Sequence, residues 1–263
     1  MFLSEVSKIK IEKENFEYLM TSEIVVMGDY KNEDYYDRLN NKKDEIELVW
    51  ENEKERRKEK LFNGNILNLA IIEQQTTDNR QQTTDNRLIL QCHSVEYKHY
   101  LAQRLGIDLG ITPLAVSGIV FYQENNSKIF YVGKRSETVT QYPGYYEFIP
   151  SGSIDAKNPS NNQPVDYSKQ LFVELKEELG VPYENIKSHN TFCLIFDEID
   201  RVYDIGIEIE IEKTELKINE DEYSLDQGIP LSSVDEYLKG KNVVNTSRNL
   251  FEAWSSSKRG DVK

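Results

Sequence analysis

The sequence predicts an α/β protein, an α/β/α sandwich on a mixed sheet, and three observations carry that expectation. From Leu114 to Trp254 the elements run strand, strand, strand, helix, strand, strand, helix, helix, an order that places helices on both sides of mixed strands. Ile205, Ile207, Ile209 and Ile211 alternate strictly with Gly206, Glu208, Glu210 and Glu212, the period of a strand with one face buried. The glutamates then read as its wet face. Leu171, Leu175 and Leu179 recur every fourth residue and line one flank of a helix. Upstream, a smaller α+β region is expected over residues 1–112, with 113–263 as the main domain and Ile107 to Pro113 as the connector.

In chain order, Ser7 to Leu19 mixes short β-like runs with charge, and Glu23 to Met27 reads as a strand before Gly28. Tyr35 to Lys60 is helical in pattern, with Leu39, Ile46, Val49 and Trp50 as its apolar members. Charge alternates in sign from Glu51 to Lys60, which reads as a solvated face with i,i+4 pairing. Asn63-Gly64-Asn65 marks a turn, and Ile66 to Glu73 and Leu88 to Val95 read as strands. Between them Gln-Gln-Thr-Thr-Asp-Asn-Arg occurs twice, at 74–80 and 81–87. One short duplication is no solenoid; it reads as an insertion in a hairpin loop, which costs little. Glu96 to Leu105 predicts a short helix ended by Gly106. Leu114 to Tyr122 and Lys128 to Lys134 predict a hairpin turning at Asn125-Asn126, and Tyr145 to Ile149 a strand entering a glycine turn at Pro150-Ser151-Gly152. A second hairpin, Thr191 to Glu198 and Val202 to Lys213, bends around Asp200-Arg201. Leu231 to Leu238 and Thr246 to Trp254 read as closing helices, the latter burying Leu250, Phe251 and Trp254.

Composition narrows the function classes. At 263 residues, with 38% hydrophobic and 11% aromatic side chains, the chain can bury a real core. A net charge of −14 argues against a nucleic-acid binder, whose affinity comes from cations on phosphates. A small anionic ligand held by a few local cations is still compatible. Cys92 and Cys193 are too few and too far apart for a disulfide scaffold or a cysteine-rich zinc site. They read as buried free thiols. No apolar run approaches the roughly 20 residues of a membrane span, and Met1-Phe2-Leu3 meets Glu5 at once, so no signal peptide and no membrane partner are expected. The expected setting is cytoplasmic. His93, His99 and His189 have no metal spacing, and neither a Gly-x-Ser-x-Gly elbow nor a Walker loop is present. Oligomeric state leaves no mark in the sequence.

On the helical wheel Glu174, Glu177 and Glu178 fall within about 100° of one another, while Lys176 points to the far side. Like charges at this spacing destabilise a helix by roughly 0.2–0.5 kcal/mol per pair. Clustered hard oxygens are also what Mg²⁺ binds. Gly180 and Pro182 close the helix.

The turn and helix together resemble the signature of the Nudix hydrolases, a glycine loop followed by Arg-Glu-apolar-x-Glu-Glu-x-Gly-apolar. Two departures stand out: Val173 occupies the arginine position, and the loop from Ala156 to Asp166 is long. The loop glutamate of the signature has no counterpart, Asp155 being the nearest acid. The resemblance implies a Nudix-type fold and hydrolysis of a nucleoside diphosphate joined to another group. It implies Mg²⁺, or Mn²⁺ in its stead, held by Glu174 and Glu178 with the Ser151 backbone carbonyl. Glu177 would complete the shell and orient or deprotonate the attacking water, with Glu198 and Glu222 as other candidates for the base. A branch acting on UDP-glucose and UDP-galactose also lacks the arginine, has a long loop and carries an N-terminal companion, which implies a small-molecule UDP-sugar cleaved to UMP and sugar 1-phosphate. ADP-ribose is the rival substrate, and a non-catalytic nucleotide-binding or regulatory module the rival class. Lys134 and Arg135, at a strand end, read either as a phosphate clamp or as a surface pair with Glu137. Gln141 to Tyr146 reads as an aromatic wall or as core, and Tyr97-Lys98 as a ligand-facing or a helix-packing pair.

Overall fold

The computed structural model describes residues 10–13, 16–21, 23–57, 61–76, 86–139, 141–156, 163–225 and 228–259. Most of the duplicated heptapeptide, residues 77–85, lies outside them, as do 157–162 of the long loop.

The N-terminal part contains strands β1 (Lys10–Lys13), β2 (Phe16–Met20) and β3 (Glu23–Met27), helix α1 (Glu33–Arg56), the hairpin β4 (Asn65–Thr76) and β5 (Asn86–Glu96), and helix α2 (Tyr97–Arg104). Helix α1 starts where Asn32 accepts a hydrogen bond from the Tyr35 amide at 3.2 Å, with Glu33 and Asp34 at its positive end. Of its alternating charges, Lys54 pairs with Glu51 at 2.7 Å and Arg56 with Glu53 at 2.6 Å three residues apart, and Arg57 with Glu53 at 2.9 Å at the expected four, while Glu53 itself is buried rather than solvated. β3 runs parallel to β5 and β4 antiparallel to it, forming a three-stranded sheet.

The remainder supplies β6 (Leu114–Glu124), β7 (Ser127–Phe130), β8 (Val132–Arg135), β9 (Tyr146–Phe148), β10 (Ser151–Ser153), α3 (Tyr167–Leu179), β11 (Ile186–Asp197), β12 (Val202–Ile211), β13 (Tyr223–Leu225), β14 (Ile229–Pro230), α4 (Val234–Leu238) and α5 (Asn245–Arg259). An eight-stranded sheet takes the order β1-β2-β11-β12-β6-β7-β14, with β10 also on β6; a third sheet is β13-β8-β9. β12 and β6 are parallel and their neighbours antiparallel, so the sheet is mixed and the protein is α/β, as the element order predicts. β1 and β2 precede residue 113 yet extend the large sheet, because β2 pairs with β11.

Two helices cover the sheet. On one face Leu171, Leu175 and Leu179 of α3 join Val116, Val120 and the four isoleucines of β12 in one core cluster. On the other, Leu250, Phe251 and Trp254 of α5 pack with Ile119, Phe130 and Ile195 in a second. Each buried side chain of this size contributes roughly 1.5–3 kcal/mol. Cys92 and Cys193 are free and buried, as expected. Among the described residues no helix is long and apolar enough to cross a membrane.

Two local expectations are corrected. The face of β12 read as wet is covered by α5 at its first two positions, where Gly206 sits against Leu250 and Cys193 and Glu208 accepts from Trp254 Nε1 at 2.8 Å and pairs with Lys258 at 2.7 Å, while Glu210 is half-buried and Glu212 exposed. A strand flanked by β11 and β6 can bury both faces when a carboxylate on the second finds donors. Second, Lys128 to Lys134 is not one strand. It breaks at Tyr131, so that β7 stays in the large sheet and β8 crosses into the β13-β8-β9 sheet.

Candidate functional site

Helix α3 is fixed at both ends. Asp166 accepts from the Lys169 amide at 3.0 Å, and Gly180 closes it in the left-handed conformation at φ 67°, the geometry glycine adopts at least cost. With the leucine flank in the core, the three glutamates of the helix meet different surroundings. Glu178 is 3% exposed, Glu174 half-buried and Glu177 exposed.

Glu178 faces β9 and β10. Burial pushes its carboxyl well above the usual range, the carboxylates of Glu147, Glu174 and Glu222 push it further, and a backbone hydrogen bond from Ser151 pulls it back. Its Oε2 is buried without a partner. Glu174 takes a hydrogen bond from Gln170 Nε2 at 2.8 Å and lies on Gly152, where an added Cβ would stand 2.6 Å from Glu174 Oε1. Its carboxyl is raised by burial and by Glu177, Glu222 and Asp155, and lowered by Gln170. Gly152 is thus the residue that lets helix and turn approach. Glu177 lines a groove on the outer side of α3 with Phe172, Val173, Lys176, Tyr183 and His189, although its charge still reaches Glu174 and Glu222.

The structure therefore brings Glu174 and Glu178 to the glycine turn and sets Glu177 to one side. Ser151 offers Glu178 a backbone hydrogen bond. Val173, at the arginine position, is 41% exposed and lines the outer groove. Glu222, one of the alternative bases, stands close enough to raise both Glu174 and Glu178. As the side chains stand, no three acids, histidines or cysteines among the described residues are grouped closely enough to hold one metal ion. The chemistry of the donors nonetheless suits a hard divalent cation: several carboxylates raise one another's affinity for protons, and one buried oxygen has no donor. Binding would need the side chains drawn together.

Arg135 and Lys134 occupy other roles than a free clamp. The Arg135 guanidinium binds Glu147, donates to the Gln141 carbonyl at 2.9 Å and to Tyr223 Oη at 3.2 Å. Lys134 lies 3.4 Å from Glu137. The Tyr97-Lys98 pair packs helices: Lys98 binds Glu47 of α1, and Tyr97 meets Tyr100 edge to face. His93 and His99 are buried in the N-terminal part, with His93 Nε2 hydrogen-bonded to Asn68 Nδ2 at 2.8 Å and His99 Nδ1 to Tyr35 Oη at 2.8 Å.

A cavity of about 230 Å³ opens beside the turn, lined in part by Ser151, Gly152 and Ser153. Across it stand Arg135, Glu147, Tyr142, Asp200 and Asp204. Tyr142, from the expected aromatic wall, donates to Asp200 and packs at 5.4 Å on Tyr145. Asp204 takes the Ser117 hydroxyl on Oδ2 at 2.9 Å, while its Oδ1 is buried without a partner. Burial, followed by Glu147 and Asp197, pushes its carboxyl up to about 7 against a pull from Ser117. Sequence reasoning missed Glu147 and Asp204. A charge on the strand face shared with Gly206 was the available signal, but it reads as solvated until that face is known to be covered.

Neither a family model nor a curated protein matches the sequence. Solved structures of Nudix proteins resemble the fold. The NUDIX domain of Shewanella oneidensis NrtR complexed with ADP ribose is 13% identical, the match covering 56% of this chain and 88% of that one at a TM-score of 0.39. For RenU, a Nudix hydrolase from M. smegmatis, the figures are 7%, 57%, 87% and 0.42. For a C. elegans Ap4A hydrolase binary complex they are 15%, 56%, 98% and 0.38. At such identities and TM-scores the matches carry no argument about substrate or activity.

Proposed function

We propose that residues 113–263 form a Nudix-type hydrolase domain that uses Mg²⁺, or Mn²⁺, to split the diphosphate of a nucleoside diphosphate derivative, with residues 1–112 as its companion. A UDP-sugar giving UMP and sugar 1-phosphate is the preferred substrate. The observation that carries the reading is the buried, unpartnered Glu178 Oε2 beside Glu174 at the Gly152 turn. An unsatisfied buried acceptor costs about 1–3 kcal/mol, and a protein retains that cost where a ligand relieves it. A cytoplasmic setting suits both free thiols.

A divalent cation, when bound, neutralises diphosphate oxygens and lowers the pKa of a water. Glu178 and Glu174 would hold it, and Ser151 borders them. The chain's own residues prepare that arrangement. Gln170 restrains Glu174. Arg135 and Tyr223 hold Glu147, a third carboxylate whose charge reaches Glu178. Glu222, which raises both Glu174 and Glu178 and accepts from Asn219 at 3.0 Å, is better placed to take a proton from water than Glu177, which lines the outer groove.

The test is incubation with Mg²⁺ and a panel of UDP-glucose, UDP-galactose and ADP-ribose, with release of nucleoside monophosphate as the signal. Turnover is expected on the UDP-sugars, and Glu178→Gln should lower it at least about 100-fold. Full activity in that variant would remove Glu178 from the site. The second reading is a Nudix-fold nucleotide-binding or regulatory module, favoured by Val173 and by the spacing of the acids; nucleotide binding without turnover would select it.

A further inference from the structure

The cavity beside the glycine turn has an electrostatic character that the diphosphate reading does not use. Three of its lining side chains are carboxylates: Glu147, Asp200 and Asp204. Arg135, the cation among them, is already committed to Glu147. Asp200 is served by the Tyr142 hydroxyl and, at 3.4 Å, by Arg104. Asp204 differs. It is 6% exposed, lines the cavity, uses Oδ2 for Ser117, and has a buried Oδ1 without a donor.

An acceptor of this kind is matched by a donor brought by a ligand. A phosphate supplies none and would meet three carboxylates. A metal ion would compete with donors already in place, since Arg135 holds Glu147, Tyr142 holds Asp200 and Ser117 holds Asp204. A neutral group bearing hydroxyls meets both demands, since each hydroxyl can donate to a carboxylate and accept from a neighbour. The volume of about 230 Å³ is on the scale of one small ring, below the roughly 300–1,000 Å³ usual for a pocket that holds a drug-sized ligand.

The geometry points to this cavity as a subsite for a neutral polyhydroxyl group, with Asp204 as the acceptor that selects it and Ser117 as the hydroxyl that orients Asp204. The inference rests on the proposed function for the attached diphosphate, because the glycine turn is the shared wall of both. Tyr100 of α2 also lines the cavity, so the N-terminal part contributes to the same subsite.

The experiment compares UDP-glucose with the methyl ester of UDP, which keeps the diphosphate and lacks the ring. Binding is measured by calorimetry on the full chain without divalent cation, and turnover separately with Mg²⁺. The wild type should bind UDP-glucose more tightly. Asp204→Leu, close in size, should lower that preference at least about tenfold while leaving binding of the methyl ester within about twofold. Asp204→Asn, which keeps an oxygen acceptor, should recover part of it. Binding of neither probe or equal binding of both by the wild type, an unchanged preference in Asp204→Leu, or an equal loss on both probes would each overturn the subsite. Absence of turnover with the binding preference intact would sink the hydrolase reading and leave the subsite standing.

Discussion

Asp204 and Glu178 share a condition that decides their behaviour: each is buried, and each has one oxygen without a hydrogen-bond donor. Burial of a carboxylate without sufficient donors favours its protonated form. For Asp204 the folded carboxyl is pushed up to about 7 from an ordinary 3.8, so the folded state binds more protons than the unfolded one between those values. Stability therefore falls as pH rises through that window, and the penalty is fully present above pH 7. Asp204→Asn removes the group that titrates. The variant should exceed the wild type in urea midpoint by more at pH 8 than at pH 5, the difference at pH 8 being on the order of 4 kcal/mol at most. A constant gap between the two pH values would show that Asp204 does not titrate in the folded protein. Glu174 and Glu178 are legible from sequence because four-residue spacing puts them on one side of a helix, whereas the same wheel does not show that Glu177 turns to the outer groove. Asp204 is not, since its hydrogen-bond partner Ser117 is 87 residues away and only the pairing of two strands brings them together.

At the level of elements, the approach of α3 to the turn before it depends on one missing side chain. A Cβ on Gly152 would stand 2.6 Å from Glu174 Oε1 and 2.8 Å from its carboxyl carbon, closer than real contacts allow. Glu174 is also tethered by Gln170, so Gly152→Ala must displace the carboxylate, the turn or both. Activity on a UDP-sugar should drop at least about tenfold, because a small misplacement of a ligand-bearing group is costly, while the melting temperature falls only a few degrees. A variant with unchanged activity would show that the contact between Glu174 and the turn is dispensable. Helix α3 itself is readable from its leucines and from Gly180. The split between β7 and β8 is not, because a continuous β-like run gives no sign of which sheet each half will join. Nor is the second buried face of β12, where Glu208 is made tolerable by Trp254 and Lys258, partners that lie in the last helix.

Across the whole molecule, the N-terminal strands are joined to the rest of the chain by more than a connector. β2 pairs with β11 from Met20 to Phe16, and isolated bridges link Val26 to Val165, Ile66 to Asp155 and Asn68 to Pro113. Leu67 and Leu90 of the three-stranded sheet share a core cluster with Leu171 and Ile207. A chain of residues 113–263 would expose the β11 edge and the apolar surface that these side chains cover, and open sheet edges promote association. Removal of buried leucines alone costs about 2–5 kcal/mol per side chain, comparable with the roughly 5–15 kcal/mol that holds a domain together. The full chain should therefore melt in one calorimetric transition, and residues 113–263 alone should give no cooperative melt and should associate at micromolar concentration. Two separate transitions in the full chain, or a monomeric fragment that melts sharply, would mean that the boundary near residue 113 divides two independently stable units. The single transition is the outcome these contacts require, because neither part can keep its core dry without the other.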